Sequence, residues 1–458
     1  MSLEALEASD RFDRPYGHVG ANLESIRRAM KTRVRNMPPR PELIRFELGD
    51  DAAILVDLAT GTVCEGAPQD LSPTTTLSTS LRFMARVMNG AKEPRGALLL
   101  GWIKITGSVE SGMRLCDELA GKRFARQERF SDLPLPAPTT DRDLARNQLR
   151  DYGYCIVADA LSPEELARLR KRLDDQAAAE HALGLEYLEG GRGASKDRRG
   201  YRGDDEEVDE ASAQAVAPNQ RVWLLHNKGD AFLDLIESPL ISEFIPDYLD
   251  EDHPLVSQFS SNIVGPGSEA QFLHQDQHAM QPSTGFPIGI NALICLDDFT
   301  ESNGATRVIP GSHIAERGLA PDNIYSTKDT VPAVAPAGSA ILVDTRLWHG
   351  SGANKTDERR RAIVLLTQRS WTRSVNNGVL SVHPSILEKM SDRMKARFGH
   401  RVTGGLGSIQ TEPEGSIVGW DPEQLVLEMS PDCNAAGGLS ANAGGRPDPG
   451  RESEHIGH

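Results

Sequence analysis

No apolar run in these 458 residues approaches the roughly 20 needed to cross a bilayer, so no membrane span is expected. The opening Met1-Ser2-Leu3-Glu4-Ala5-Leu6-Glu7 lacks the basic and apolar regions of a secretory signal, and export is not expected either. Basic stripes are missing too. Asp and Glu number 66 against 50 Lys and Arg, a formal charge of -16, which argues against a phosphate backbone as partner; nucleic acid is not expected. Cysteines are few: five, odd in number and scattered, they fit a reducing cytoplasm rather than a disulfide scaffold. Cys295, inside an apolar strand, reads as inert core.

What the chain does have is His274-Gln275-Asp276, then Trp348-His349, then Arg360. Side chains two apart on a strand point the same way, so His274 and Asp276 can close on one ion while Gln275 faces out. His349 must arrive from elsewhere. Ser339 to Asp344 reads as a strand, and Trp348-His349-Gly350 lies just beyond its end, where a ligand can bend inward. Two histidines and one carboxylate on one side of a metal leave the opposite positions open for oxygen chemistry. His278 shares the face of His274 and Asp276 and competes with His349 for the third place. Arg360 opens the apolar run Arg361 to Leu366, and its neighbours on one face are Ala362 and Val364. A buried guanidinium there suits a carboxylate held bidentately. Arg359 and Arg361 could take that role if the register slipped; a solvated or surface-paired role is the expected one for both.

Phe272 to Asp276, Asn303 to His313, Trp348-His349-Gly350-Ser351-Gly352 and an arginine eleven residues after His349 occur in one order. That order resembles the phytanoyl-CoA dioxygenase family of iron and 2-oxoglutarate oxygenases, over roughly residues 145 to 375. The opening segment also fits: Asp151 to Val157 reads as a short strand, and Leu161-Ser162-Pro163-Glu164-Glu165 opens a helix, with Ser162 as cap, Pro163 at the first position and Glu165 closing a capping box. The resemblance implies an all-β double-stranded β-helix, a jelly-roll or cupin-like fold with flanking helices. It implies that His274, Asp276 and His349 bind Fe(II), that Arg360 and Ser351 hold 2-oxoglutarate, and that Asn262, on the strand from Val256 to Val264, is a further contact. O2 would be consumed and succinate and carbon dioxide released, with hydroxylation the default and desaturation, cyclisation or epoxidation open. Asp276 keeps the carboxylate that related halogenases lack, so halogenation is not expected. His313, in Pro310-Gly311-Ser312-His313, reads as part of a structural turn.

Upstream, residues 20–130 read as an α+β unit: helix, several strands, helix, strand pair, helix. Ile44, Phe46 and Leu48 alternate, then Ile54, Val56 and Leu58, with Gly49-Asp50 as the turn. Leu81, Met84, Ala85 and Met88 form a helical stripe, and Gly101-Trp102-Ile103-Lys104-Ile105-Thr106-Gly107 leads into a helix through Met113 and Cys116. This pattern resembles the sterol carrier protein family, which implies a sheet covered by helices around an apolar tunnel for a lipid-like ligand. Methionine-rich stripes suit such linings, but ordinary core is the expected reading here. The expected organisation is an arm over 1–19, this domain over 20–130, a proline-rich linker over 131–142 with Leu133 to Pro138 at its centre, and the oxygenase domain over 143–400. A glycine- and charge-rich insertion spans about 178–219. Its acidic run Asp204 to Glu210 reads as a solvated loop, and the insertion could act as a lid. An extension over 401–458, loosely ordered from about 430, holds His455 and His458 and nothing catalytic.

Trp223, His226 and Trp371 are the candidate substrate contacts. The substrate expected is a small hydrophobic or secondary-metabolite molecule; a homodimer is an open possibility. The rival reading is a lipid-binding or scaffolding protein whose barrel no longer turns over.

Overall fold

The computed structural model describes residues 19–49, 52–66, 72–89, 92, 94–99, 101–121, 134–189, 219–279, 284–317, 319–409 and 412–419. Residues 1–18 of the arm, the acidic run Asp204 to Glu210 and the stretch from 430 onward lie outside them. The chain divides into two compact units, Met1–Phe398 and Gly399–His458. In the second, the described residues make a small turn structure with bridges Arg401 to Ile417 and Thr403 to Leu406.

Within the first unit, helix α1 (Leu23–Val34) precedes strands β1 (Leu43–Leu48), β2 (Ala53–Asp57), β3 (Thr62–Glu65) and β4 (Thr75–Thr79). Helices α2 (Leu81–Met88) and α3 (Pro94–Leu99), strand β5 (Lys104–Gly107) and helix α4 (Val109–Leu119) follow. The sheet order is β3-β2-β1-β4-β5, antiparallel except for β1 against β4. The alternation in β1 buries Ile44, Phe46 and Leu48, and Gly49 turns the chain at φ +88. Where a strand pair is expected between the two later helices, the described residues form α3 and then one strand, β5. Pro94 suits the first turn of a helix and lacks the donor a ladder needs. Met84, Met88 and Met113 are buried, the first two in the same cluster as Ile26, Ile44 and Phe46.

Helix α5 (Arg142–Tyr152) comes next, capped by Asp141. Strand β6 (Tyr154–Val157) is shorter than expected, because Asp151 and Tyr152 complete α5 and Gly153, at φ 80, ends it. Ser162 and Glu165 form the expected capping box of α6 (Pro163–Ala182). That helix carries the chain four residues past the expected start of the insertion. Strands β7 (Tyr187–Glu189) and β8 (Asn219–Arg221) then pair antiparallel, so the insertion leaves and rejoins the fold through a β ladder.

The remaining strands are β9 (Leu255–Val264), β10 (Gly289–Cys295), β11 (Thr306–Val308), β12 (Val331–Pro332), β13 (Ala340–Asp344), β14 (His349–Ser351) and β15 (Arg360–Gln368). One sheet runs β6-β13-β10-β15-β9-β8-β7 and a shorter one β12-β11-β14. Leu293, Cys295 and Ala362 of the large sheet share a core with Val308 of the small one, and a second core sits between the large sheet and α6. With both faces of the sheet covered, β10 and β13 are wholly buried and read as continuous apolar runs.

Gly153 offers a test of this packing. A Cβ there would lie 2.6 Å from His313 Nδ1 and 2.7 Å from Leu347 Cδ1, at a positive φ. Gly153→Ala should lower the unfolding free energy by about 2 kcal/mol or more, read as a shift in urea midpoint at constant slope.

Candidate metal and oxoacid site

His274 and His349 face each other across an isolated antiparallel bridge. The His274 amide donates to the His349 carbonyl (2.8 Å) and the His349 amide returns the bond (2.9 Å). Directly opposed residues send their side chains to the same side, and the two rings lie 4.5 Å apart, centroid to centroid. Asp276 reaches them differently from the expected strand geometry. The chain leaves its bridge after His274 and turns into a 3-10 helix, Asp276–Ala279, fastened by the Gln277 amide donating to the Thr345 carbonyl (3.1 Å). Between the ligand candidates, Gln275 turns away and donates to the Arg346 carbonyl.

Asp276 Oδ1 lies 3.6 Å from His274 Nε2, and its Oδ2 lies 3.7 Å from His349 Nε2. One donor atom from each of the three residues falls within 4.8 Å of the others. The Nδ1 atoms face backbone carbonyls, Phe272 O at 3.2 Å and Leu347 O at 3.0 Å, a contact that fixes the proton on Nδ1 and leaves the Nε2 lone pairs turned inward. Burial holds the His349 imidazole below its ordinary pKa, in the neutral form a metal requires. Burial pushes the Asp276 carboxyl upward, but His349, His274 and the Asn291 amide outweigh it and hold the group ionised, well below the usual carboxylate range. Asn291 Nδ2 donates to Asp276 Oδ2 (2.9 Å).

Arg360, the first residue of β15, is 2% exposed and lies over the Phe299 ring, its Cζ 4.1 Å from the centroid. Its Nε and Nη2 have no hydrogen-bond partner. Burial lowers its pKa to about 10, so it remains a cation at neutral pH. An unpaired buried guanidinium is costly, and the natural remedy is an acid that arrives from outside the chain. Asn262 on β9 donates to Ser351 Oγ on β14 (3.3 Å), leaving its own buried Oδ1 unpartnered. The neighbouring arginines have partners: Arg361 pairs with Asp297 and Asp174 (both 2.6 Å), and Arg359 with Asp174 (3.0 Å).

A cavity of about 210 Å3 brings the three metal-ligand candidates together with Arg360, Ser351 and Asn262. Trp223 also lines it. His226 does not: its ring packs 4.8 Å from that of Phe398, and its Nε2 faces the Ser381 carbonyl at 3.2 Å. Trp371 is half exposed, 6.4 Å from the Phe286 ring, and is likewise absent from the lining. His313 is buried elsewhere, its Nε2 2.9 Å from the Arg150 carbonyl, and the His278 side chain lies outside the described residues. Sequence reasoning passed over Arg221, Gln258, Gln271, Asn291 and Thr306, all of which line the cavity. Asn291 had a signal, being the one polar side chain in the apolar strand Gly289–Cys295.

Residues 149–362 match the phytanoyl-CoA dioxygenase (PhyH) family model. Dioxygenase af480 of Aspergillus fumigatus is 28% identical over 299 residues, covering 59% of this chain and 85% of its own. Multifunctional dioxygenase prhA of Penicillium brasilianum is 29% identical over 270 residues, covering 55% of this chain and 80% of its own. Among solved structures, SnoN, a non-heme alpha-ketoglutarate-dependent epimerase from nogalamycin biosynthesis, is 19% identical with a TM-score of 0.39, covering 53% of this chain and 89% of its own.

His226 yields a prediction separate from the metal. It is 2% exposed, and burial pushes its pKa down to about 4 from an ordinary 6.5. The unfolded chain therefore binds this proton before the folded one does. The stabilisation is complete above pH 6.5 and is lost as pH falls toward 4, a change of about 3 kcal/mol at most. Melting temperature followed from pH 7 to 4 should fall less steeply in His226→Gln than in wild type.

Proposed function

The chain belongs to the phytanoyl-CoA dioxygenase family through residues 149–362 and is an Fe(II)- and 2-oxoglutarate-dependent dioxygenase, and from that premise we propose that His274, Asp276 and His349 hold the iron while Arg360 anchors 2-oxoglutarate. The single observation that carries the assignment is a set of two histidines and one aspartate sharing one cavity with a buried guanidinium whose Nε and Nη2 have no hydrogen-bond partner. The donor set suits a ferrous ion with one side left open, and the guanidinium fork suits the far carboxylate of a keto diacid. Bound there, iron, 2-oxoglutarate and O2 together supply a strong oxidant while the keto acid is decarboxylated to succinate.

The protein's own part is placement and charge. Ser351 and Asn262 line the same cavity as Arg360 and are neutral partners for the same carboxylate, with the buried Asn262 Oδ1 left free to accept a hydrogen bond. Arg221 adds a second cation to the cavity, close enough to Arg360 to depress its pKa, so the pocket is charged for a dianion. Asn291 holds Asp276 against rotation and keeps one carboxylate oxygen aimed inward. Leu293, Ala362 and Val364 make the apolar wall that keeps bulk water from the reacting centre.

For the substrate we propose a small, largely apolar molecule of secondary metabolism, hydroxylated or alternatively desaturated or cyclised in a cytoplasmic enzyme. Trp223 on the cavity wall supports an aromatic stacking surface for it. For residues 20–130 we propose a sterol-carrier-like fold, supported by a five-stranded sheet and its helices; its buried methionines favour core over an open lipid tunnel.

Turnover without substrate tests the assignment. Purified protein with ferrous iron, ascorbate and 2-oxoglutarate should form succinate slowly, and His274→Ala should lower the rate at least about 100-fold. Arg360→Ala should raise the KM for 2-oxoglutarate by about 30-fold or more, with Arg360→Lys intermediate because it keeps the charge but loses the fork. Equal succinate formation by wild type and both alanine variants would favour a scaffolding protein without turnover.

A further inference from the structure

We propose that helix α3 of the N-terminal domain is a positioning element of the metal site, with Leu98 and Arg95 holding the segments that carry His274 and His349. The inference rests on the reading that these histidines bind the iron. It starts from a small core of four residues, Leu273, Ile309, Ile324 and Trp348, each buried. Leu273 and Trp348 immediately precede the two histidines in sequence. The outer cover of that core includes Leu98, from a domain more than 150 residues away in the chain.

Arg95 adds a polar fastening beside it. The side chain is 2% exposed, pairs through Nη2 with Asp117 of α4 (2.8 Å), and donates through Nε to the Pro321 carbonyl (2.6 Å). Asp117 is itself buried, so the pair is fixed on a rigid helix rather than swinging in solvent. Three residues beyond Pro321, the Ile324 carbonyl accepts from the Leu273 amide (2.7 Å). A continuous chain of contacts therefore runs from α4 through Arg95 and the 321–324 segment to the residue before His274. On the other side, the Ile309 amide donates to the Trp348 carbonyl (2.9 Å), tying the residue before His349 to the same core.

The consequence falls on ring orientation. Each imidazole is steered by a backbone carbonyl two residues upstream, Phe272 for His274 and Leu347 for His349. Those carbonyls flank Leu273 and Trp348, the residues that Leu98 helps to cover. Loosening the cover frees the two backbones and, with them, the direction of both Nε2 lone pairs. A metal site tolerates little of this, because its affinity depends on all donors meeting at once. The N-terminal domain is on this account part of the oxygenase's working structure, not a separate module on a leash.

The test uses the full-length protein and cobalt(II) in place of iron. Leu98→Ala and Arg95→Gln should each weaken cobalt(II) binding about tenfold and alter the visible absorption of the bound ion. In the metal-free protein they should speed amide hydrogen exchange at 271–276 and 347–351. Val63→Ala, in the same domain's core on its edge strand and away from α3, should lower the melting temperature yet leave affinity and exchange in those segments as in wild type. If Leu98→Ala proves insoluble, Leu98→Val, a smaller trim, is read in the same way. Wild-type cobalt affinity and wild-type exchange in both α3 variants would overturn the proposal, as would Val63→Ala reproducing their effects. Cobalt binding by His274→Ala as tight as wild type would instead overturn the iron assignment, and the exchange comparison, made without metal, would still decide the role of α3.

Discussion

Two reciprocal backbone hydrogen bonds, between His274 and His349, hold the site together. They join a segment with no other named strand pairing to β14, and so set two imidazoles side by side. Neither histidine is gripped by its own side chain strongly enough to define such a geometry alone. The bridge fixes where the rings start, the carbonyls two residues upstream fix how they turn, and Asp276 arrives on the next turn with Asn291 to hold it. Every chemical property of the centre follows from that small piece of antiparallel geometry.

Electrostatics then separates two regions of one cavity. Around the histidines, an ionised carboxylate and the inward-facing imidazole nitrogens make a nest suited to a divalent cation. At Arg360 the balance is opposite. Its guanidinium is buried over Phe299 with two nitrogens unpaired, while Arg361, its neighbour in sequence, is satisfied by Asp297 and Asp174. Strand alternation accounts for the difference: Arg360 points into the cavity and Arg361 toward α6. A fold that left Arg360 this way without a ligand would carry a standing desolvation cost.

The N-terminal domain changes how the chain should be divided. The proline-rich stretch reads as a stiff linker at a domain boundary, and within it Thr139 pairs with Val157 while Asp141 caps α5. Across the same boundary, Arg95 and Leu98 reach the loop and core behind the metal-ligand candidates. Proline content reports local stiffness, not whether the flanking domains touch.

Periodicity and capping were legible because they are local. Alternation in Ile44 to Leu48, the Ser162 and Glu165 box and the apolar run after Arg360 each depend on neighbours within a few residues, and the structure contains each of them. The metal-ligand candidates and the arginine were legible through their spacing and order. Three things were not. Asp276 lies on a 3-10 turn, because the chain leaves its bridge directly after His274. His226 is turned into a packed core against Phe398, a choice that sequence cannot distinguish from facing a cavity. Arg221, Gln271 and Thr306 meet around the ligand space only through pairings between distant strands. By itself, the sequence determined which side chains could do the chemistry; convergence on one cavity was decided by long-range strand pairing and burial, whose partners lie too far along the chain for any local pattern to record.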